Sequence, residues 1–445
     1  MQKKLFGTDG VRGLVNINLT PETAYKIGKA LAQIYDNKLE KIKVIVAKDT
    51  RASSDMLQTA ICSGLLAQGA NVEFAGVMPT GAVSFLAKKL KANAGVMITA
   101  SHNDVKYNGI KIFNGNGFKL TISQEYQIER LVNEDKNLLV DYKNVGQLKF
   151  NKNATKLYQG YLLDNISGFF DNFNICLDCA NGAGSSVAPK ILKSLKANVV
   201  VMHSTSNGFN INKNCGATNL ASLSKKVKSG KFDIGFALDG DADRLMTVDE
   251  NGRVVDTDSL IFLLAKNFNK KNKLNNNALA TTIMSNYGLE VSLKEYDILL
   301  HRTKIGDKYV IDHMLEYDLN FGAENSGHYI FKNFVTTSDA IFSMIKILQL
   351  LKQKNKPISE LIKSVKKYPQ VLLNLEVDED KKLEVMKNAY LFKQIKKCKR
   401  KLKNKGRVIV RPSGTENLIR VMVEGLDEKL VKKIANHLKK VIEKI

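Results

Sequence analysis

Apolar and polar positions along this chain switch repeatedly between two periods, one of two residues or none and one near 3.6. Residues 43–47, Lys-Val-Ile-Val-Ala, form a short apolar run; 54–68 repeats at helical spacing; 71–75 is apolar again; a helix follows near 81–90 and another apolar run at 94–98. Strands alternating with helices predict an α/β layer built on a mostly parallel sheet. The pattern resets after a polar, Asn- and Lys-rich stretch at 144–156. It resumes with a strand at 174–178, a Gly-Ala-Gly turn at 182–184, a helix to Leu195 and a buried strand over 233–238. A third round runs from about Thr257 through strands at 278–282, 298–301 and 320–323 to a long helix over 338–352. Pro357 and Pro369 bracket a basic, polar passage that reads as a linker. The remainder, 371–445, reads strand, helix, two strands at 406–410 and 418–423, and a closing helix, the order of an α+β module with an antiparallel sheet, hinged to the rest.

The expected fold is therefore α/β, three similar α/β units with mixed sheets plus a C-terminal α+β domain, with boundaries at 1–152, 153–254, 255–366 and 367–445. Three such units in a row suggest duplication, although no residue-level repeat supports it. A length of 445 residues at 44% hydrophobic suits several cores.

The formal charge of +24 raises nucleic-acid binding as a possible role. Lysine is nevertheless spread along the whole chain, and the densest runs, at 396–401 and 225–228, lack interleaved aromatics and any reader motif. The charge reads as a solvated surface that draws in anionic substrates, with no nucleic-acid partner. Of five cysteines, only Cys176 and Cys179 have CxxC spacing, inside an apolar run, and no second pair completes a metal set. They read as a buried strand end with reduced thiols, which suits a cytoplasmic location. Lys3 and Lys4 lead into no apolar signal core, and no apolar run approaches the roughly 20 residues a spanning helix needs, so no membrane partner is expected.

Two segments carry most of the chemistry. Thr-Ala-Ser-His-Asn at 99–103 follows a strand and offers the Ser101 hydroxyl beside His102. Asp-Gly-Asp-Ala-Asp-Arg at 239–244 also follows a strand, and its alternation turns Asp239, Asp241 and Asp243 toward one face. Three mutually repelling carboxylates call for a cation, and hard oxygen ligands favour magnesium; the bland alternative is a solvated acidic turn. Together they suit phosphoryl transfer through a seryl phosphate. Other features are weaker alone. His102 suits acid/base work or a structural hydrogen bond. Lys111 lies on an alternating strand where a buried lysine needs a partner. Gly-Ala-Glu-Asn-Ser-Gly-His at 322–328 mixes donors and acceptors as vicinal hydroxyls require, and as a polar hairpin also would. Arg-Pro-Ser-Gly-Thr-Glu-Asn at 411–417, with Arg420, has the make-up of an anion seat. Arg12, in a glycine-rich run at 7–13, suits a phosphoryl group or a surface ion pair.

Read together and in this order, the motifs resemble those of the α-D-phosphohexomutase superfamily over the full length. The resemblance implies four domains around a deep central cleft, each giving one signature. By it, Ser101 is the phosphoserine and binds one magnesium ion together with Asp239, Asp241 and Asp243. Glu324 and Ser326 hold sugar hydroxyls, and Arg411, Ser413, Gly414, Thr415 and Arg420 grip the non-transferring phosphate. Arg12, Lys111 and Arg244 surround the reacting phosphate, with Lys111 the general base and His102 and His328 assisting. The implied substrate is a phosphosugar, handled by a monomer or homodimer. Ala100 and Ala242 stand where glucose- and mannose-phosphate mutases more often have glycine, and resemble the glucosamine branch. That branch implies a glucosamine 1,6-bisphosphate intermediate and a role in supplying amino-sugar nucleotide and cell-wall precursors. Asn325, Asp104, Asn417 and the 337–339 segment depart from the usual pattern. Glucose- or mannose-phosphate turnover on the same fold is the alternative; a non-catalytic phosphosugar or nucleic-acid binder is the alternative of another class.

Overall fold

The computed structural model describes residues 5–36, 41–134, 139–413 and 417–445, the side chain of Glu379 excepted. It divides into two compact units. One comprises residues up to Met284 together with Leu300–Ile362, the other Ser285–Leu299 together with Lys363–Ile445.

The first unit contains three mixed sheets. In spatial order, the first runs Val11–Leu14, Tyr107–Asn114, Ala94–Ile98, Lys43–Lys48, Asn71–Val77, Leu148–Phe150. The central strands pair in parallel, while Tyr107–Asn114 returns antiparallel along Ala94–Ile98. All five residues of Ala94–Ile98 are buried, as befits a strand covered on both faces. The second sheet runs Val254–Val255, Leu245–Asp249, Ile234–Leu238, Asn174–Asp178, Asn198–Met202, and the third Tyr329–Phe331, Phe321–Ala323, Ala278–Thr282, Leu299–Thr303. Their hearts have the same order and sense as the first: a parallel group, then an antiparallel strand that returns along the last of its members. The duplication absent from the letters is thus present in the topology.

The hairpin strands also explain where the motifs stand. Residues 99–106 join Ala94–Ile98 to its antiparallel neighbour, 239–244 join Ile234–Leu238 to Leu245–Asp249, and 324–328 join Phe321–Ala323 to Tyr329–Phe331. Each motif is therefore a loop between two paired strands, held at both ends, and not the open strand-to-helix crossover expected from a purely parallel layer. The second unit has a three-stranded antiparallel sheet, Gln370–Glu376, Leu418–Gly425, Gly406–Pro412, in which Ser413 follows one of two paired strands and Asn417 precedes the other. Gly414 and Thr415 lie outside the described residues. The passage between Pro357 and Pro369, expected as linker, instead contains a helical turn at Ile358–Leu361 with Ile358 fully buried, continued by a 3₁₀ turn at Ile362–Ser364. A proline before the first turn starts such a helix as readily as it ends a domain.

Helices Pro21–Tyr35 and Ala52–Ala67 pack against one another at very close range. A Cβ at Gly64 would lie 2.1 Å from the Tyr25 carbonyl oxygen, and one at Gly28 2.3 Å from that of Ile61. Each glycine thus removes the side chain that would otherwise part the helices. Gly64→Ala is expected to destabilise this domain by roughly 1–3 kcal/mol, through overpacking against backbone that cannot yield. Urea unfolding followed by circular dichroism checks it; an unchanged first transition would refute the close-contact account.

Candidate functional site

The hairpin loops of the first two domains meet. Ser101 is 1% exposed, and its Oγ donates to Asp239 Oδ2 at 2.6 Å, across 138 residues of sequence. Their backbones touch as well: a Cβ at Gly240 would stand 2.6 Å from the Ser101 carbonyl oxygen, so glycine is what lets the loops close. Ser101 and Ala242 both adopt left-handed backbone conformations, with φ of 53° and 55°. A non-glycine residue there costs roughly 1–2 kcal/mol, strain of a kind concentrated at functional loops.

Carboxylate oxygens of Asp239, Asp241 and Asp243 lie within 4.8 Å of one another, all buried. Burial first, then Asp243 and Asp241, pushes the Asp239 carboxyl well above its usual range. For Asp243 burial acts in the same direction but is outweighed by Lys111 and His328, which hold it well below. Asp241 Oδ2 accepts from Thr80 Oγ1 at 2.6 Å and from Lys111 Nζ at 2.8 Å, while its buried Oδ1 has no partner. An orphaned carboxylate oxygen among three converging acid groups fits a divalent cation with oxygen ligands.

Cations enclose this cluster. Lys111 Nζ reaches Asp243 Oδ2 at 2.6 Å and Asp9 Oδ2 at 3.1 Å in addition to Asp241. Despite burial, these three carboxylates raise its pKa well above the ordinary lysine value. Arg12 pairs with Asp9, and Lys119 bridges Asp9 to Asp307. His328 Nε2 stands 3.1 Å from Asp243 Oδ1 and its Nδ1 2.9 Å from Glu324 Oε2. Burial opposes protonation of this ring, but Asp243 prevails and its pKa rises to about 10. Arg244 Nε donates to His328 Nε2 at 3.0 Å, which brings the guanidinium against the same cluster. His102 takes the opposite course. Burial and then Arg244 and Arg12 bring it down to about 3, leaving a neutral ring with Nδ1 3.3 Å from Ser101 Oγ.

Glu324 also accepts the Gly306 amide at 3.0 Å, so both its oxygens are engaged. Ser326 occupies the turn between Glu324 and His328, where Gly327 has a φ of 96°. In the second unit, Arg411 and Arg420 face each other as partners across two antiparallel strands. Burial and then Arg420 lower the Arg411 pKa, and two guanidiniums directly opposite make an anion-seeking surface. Ser413, 5% exposed, follows on the same loop.

Sequence reading missed several residues that hold the site together. Arg51, 1% exposed, spends its guanidinium on the carbonyl oxygens of Ser101, Asn103, Asp104 and Tyr107, at 2.8–3.1 Å, and on Asp49. Asn212 Nδ2 donates to the Ser101 carbonyl at 2.8 Å. Asp9, Thr80 and Lys119 were likewise unmarked. A lone arginine or threonine beside a strand end has no spacing signal; its partners are backbone carbonyls or a carboxylate far away in sequence. Arg51→Lys keeps a charge beside Asp49 but loses the fork that gathers four carbonyls. It is expected to lower phosphoryl transfer by about 10²-fold and to lower the thermal midpoint. Kinetics and calorimetry check both, and an unchanged rate would show that Arg51 does not position the loop.

Comparison with known proteins agrees with this geometry. The four phosphoglucomutase/phosphomannomutase domain families match in chain order: α/β/α domain I over residues 3–138, domain II over 160–252, domain III over 256–368 and the C-terminal domain over 372–441. The chain is 45% identical to the phosphoglucosamine mutase of Caldicellulosiruptor saccharolyticus, over 99% of both chains. It is 43% identical to that of Carboxydothermus hydrogenoformans, over 99% of this chain and 100% of the relative. Among solved structures, a phosphoglucomutase/phosphomannomutase family protein from Burkholderia thailandensis superposes with a TM-score of 0.83 at 20% identity, covering 100% of this chain and 98% of that one. A putative phosphomannomutase from Thermus thermophilus gives 0.80 at 21%, covering 100% of both; these two carry the fold alone. Among the described residues no helix is long and apolar enough to cross a membrane. With all four domains matched and full-length identity of 45%, the chain belongs to the α-D-phosphohexomutase superfamily, within its phosphoglucosamine mutase family.

Proposed function

We propose that this chain is an isomerase that interconverts glucosamine 6-phosphate and glucosamine 1-phosphate through a phosphoserine at Ser101 and glucosamine 1,6-bisphosphate. The observation that carries the reading is the 2.6 Å hydrogen bond from Ser101 Oγ to Asp239, which sets a nucleophilic hydroxyl at the edge of a three-carboxylate cluster. Full-length likeness to phosphoglucosamine mutases supports the choice of sugar.

In the forward direction the bond from phosphorus to Ser101 Oγ breaks as one forms to O1 of the sugar. The bisphosphate turns over, and its 6-phosphoryl returns to Ser101. The chain's contribution is placement and charge, because phosphoryl transfer requires in-line geometry and neutralised oxygens more than covalent assistance. Asp239, Asp241 and Asp243, with a phosphoryl oxygen on Ser101, would hold one magnesium ion, which supplies further charge neutralisation when bound. Arg12, Arg244 and His328 would surround the position where the phosphoryl oxygens develop charge. Lys111, kept as an ammonium by Asp241, Asp243 and Asp9, would turn an N–H toward those oxygens when the carboxylates hold the ion, and such an ammonium is a donor rather than the general base. His102, neutral and weakly basic, orients the serine hydroxyl. Glu324 and Ser326 would meet the sugar hydroxyls. The phosphate not in transit would sit at the Arg411 and Arg420 pair with Ser413, Gly414 and Thr415.

Ser101→Ala is expected to reduce turnover by at least about 10³-fold with unchanged circular dichroism, and to remove the phosphate found on the Ser101 peptide by mass spectrometry. Retained turnover would take the serine out of the reaction. Coupled assays on glucosamine, glucose and mannose phosphates test the sugar, and a higher kcat/KM for glucose or mannose phosphate would move the chain to the alternative specificity. Asp241→Asn removes one ligand charge and is expected to raise the magnesium concentration for half-maximal rate by about tenfold or more. An unaltered magnesium titration would remove Asp241 from the ligand set.

A further inference from the structure

Away from the Ser101 loop, a cavity of about 620 Å³ opens between helices Thr257–Lys270 and Ala340–Lys354 and the turns that flank them. Lys271, Lys273, Lys346 and Lys352 line it, and among the described residues no aspartate or glutamate does. The solvated-lysine reading that suits the chain's surface fails for Lys346. It projects from a helix whose other residues are mostly buried apolar side chains, and its ammonium stands 4.8 and 4.7 Å from the ring centroids of Phe334 and Phe342. Its polar side-chain contact among the described residues is Gln349 Oε1 at 3.2 Å. Burial, then Lys273 and Lys271, bring its pKa down to about 8, the mark of a cation gathered with others and left without a counter-charge. A second, independent sign is Asn267, only 8% exposed, which lines the same cavity with its Oδ1 unpartnered. Rotation of that amide offers an N–H to the cavity equally well.

We propose that this cavity binds a small molecule carrying two or more phosphate groups, at a site separate from the one at Ser101. Several lysines without carboxylates suit a polyanion, which supplies the missing counter-charges, whereas a neutral ligand would leave the cations mutually repelling. A diphosphate attached to a nucleoside and a free diphosphate share this chemistry, and the test separates them.

The test uses the full chain and trace acetylation at pH 8, at which a lysine with a lowered pKa reacts ahead of solvated ones. Lys346 labelling is read by peptide mass spectrometry as inorganic pyrophosphate or UDP is titrated in. Saturable protection of Lys346, with solvated lysines unaffected, is the expected result. Protection by both probes assigns the diphosphate as the recognised group, and protection by UDP alone assigns the nucleotide. Lys271→Gln/Lys273→Gln, or Lys273→Gln alone if the double variant folds poorly, is expected to raise the half-protecting concentration about tenfold, while the mutase rate without added ligand stays unchanged. Anion binding at the catalytic site leaves Lys346 labelling untouched, so failure here is distinct from failure of the catalytic reading. No protection by either probe at millimolar concentration, or equal half-protection in the variants, overturns the proposal.

Discussion

Burying acid groups together is the constraint on which this architecture turns. Asp9, Asp239, Asp241 and Asp243 stand in space from which water is largely excluded, where an unpaired carboxylate is far more costly than at a surface. The fold meets that cost by importing cations from distant parts of the first unit. Lys111 comes from the strand Tyr107–Asn114 of the first sheet, Lys119 from the segment after that strand, Arg12 from the sheet's edge strand, and His328 from the third sheet's hairpin. Opposite charges at such spacing attract strongly in a low dielectric, so three domains are drawn to a single point by the chemistry they serve.

What lets them meet is a single topological device used in the first three domains. A strand ends, a short motif loop follows, and the chain returns antiparallel beside the strand it left. Such a loop is anchored on both sides by ladder hydrogen bonds, which limits its freedom more than a crossover to a helix would. Precision of placement follows from that anchoring, and left-handed residues at Ser101 and Ala242 are tolerated because the flanking strands fix them.

Much of this was legible in the letters. The fully buried strands at 94–98 and 234–238 announce themselves as apolar runs, and the motifs after them combine residue types that suit phosphoryl transfer. The threefold topology was not legible, because sheet order depends on long-range pairing that leaves no periodic trace. Nor were Arg51, Thr80 and Asn212, whose partners are carbonyl oxygens and a carboxylate up to 161 residues away. The buried turn at Ile358 was read as linker because its flanking prolines and lysines outweighed one apolar residue. Alanine at 242, seen in sequence only as a mark of one branch, has a physical meaning in the structure: it occupies a φ of 55° that glycine would adopt without strain.

One feature of the Ser101 loop reaches beyond static placement. Arg51 and Asn212 grip its carbonyl oxygens and leave the serine side chain to others, so none of their hydrogen bonds depends on what Ser101 carries. A phosphate adds close to two negative charges at neutral pH and commonly reshapes the segment that bears it. On the proposed function, a phosphate on Ser101 would replace the hydroxyl's hydrogen bond to Asp239, while the bonds to the Ser101 carbonyl oxygen need not change. The loop's main-chain anchorage would then be common to the loaded and unloaded forms, leaving the side chain's surroundings to answer the change of charge.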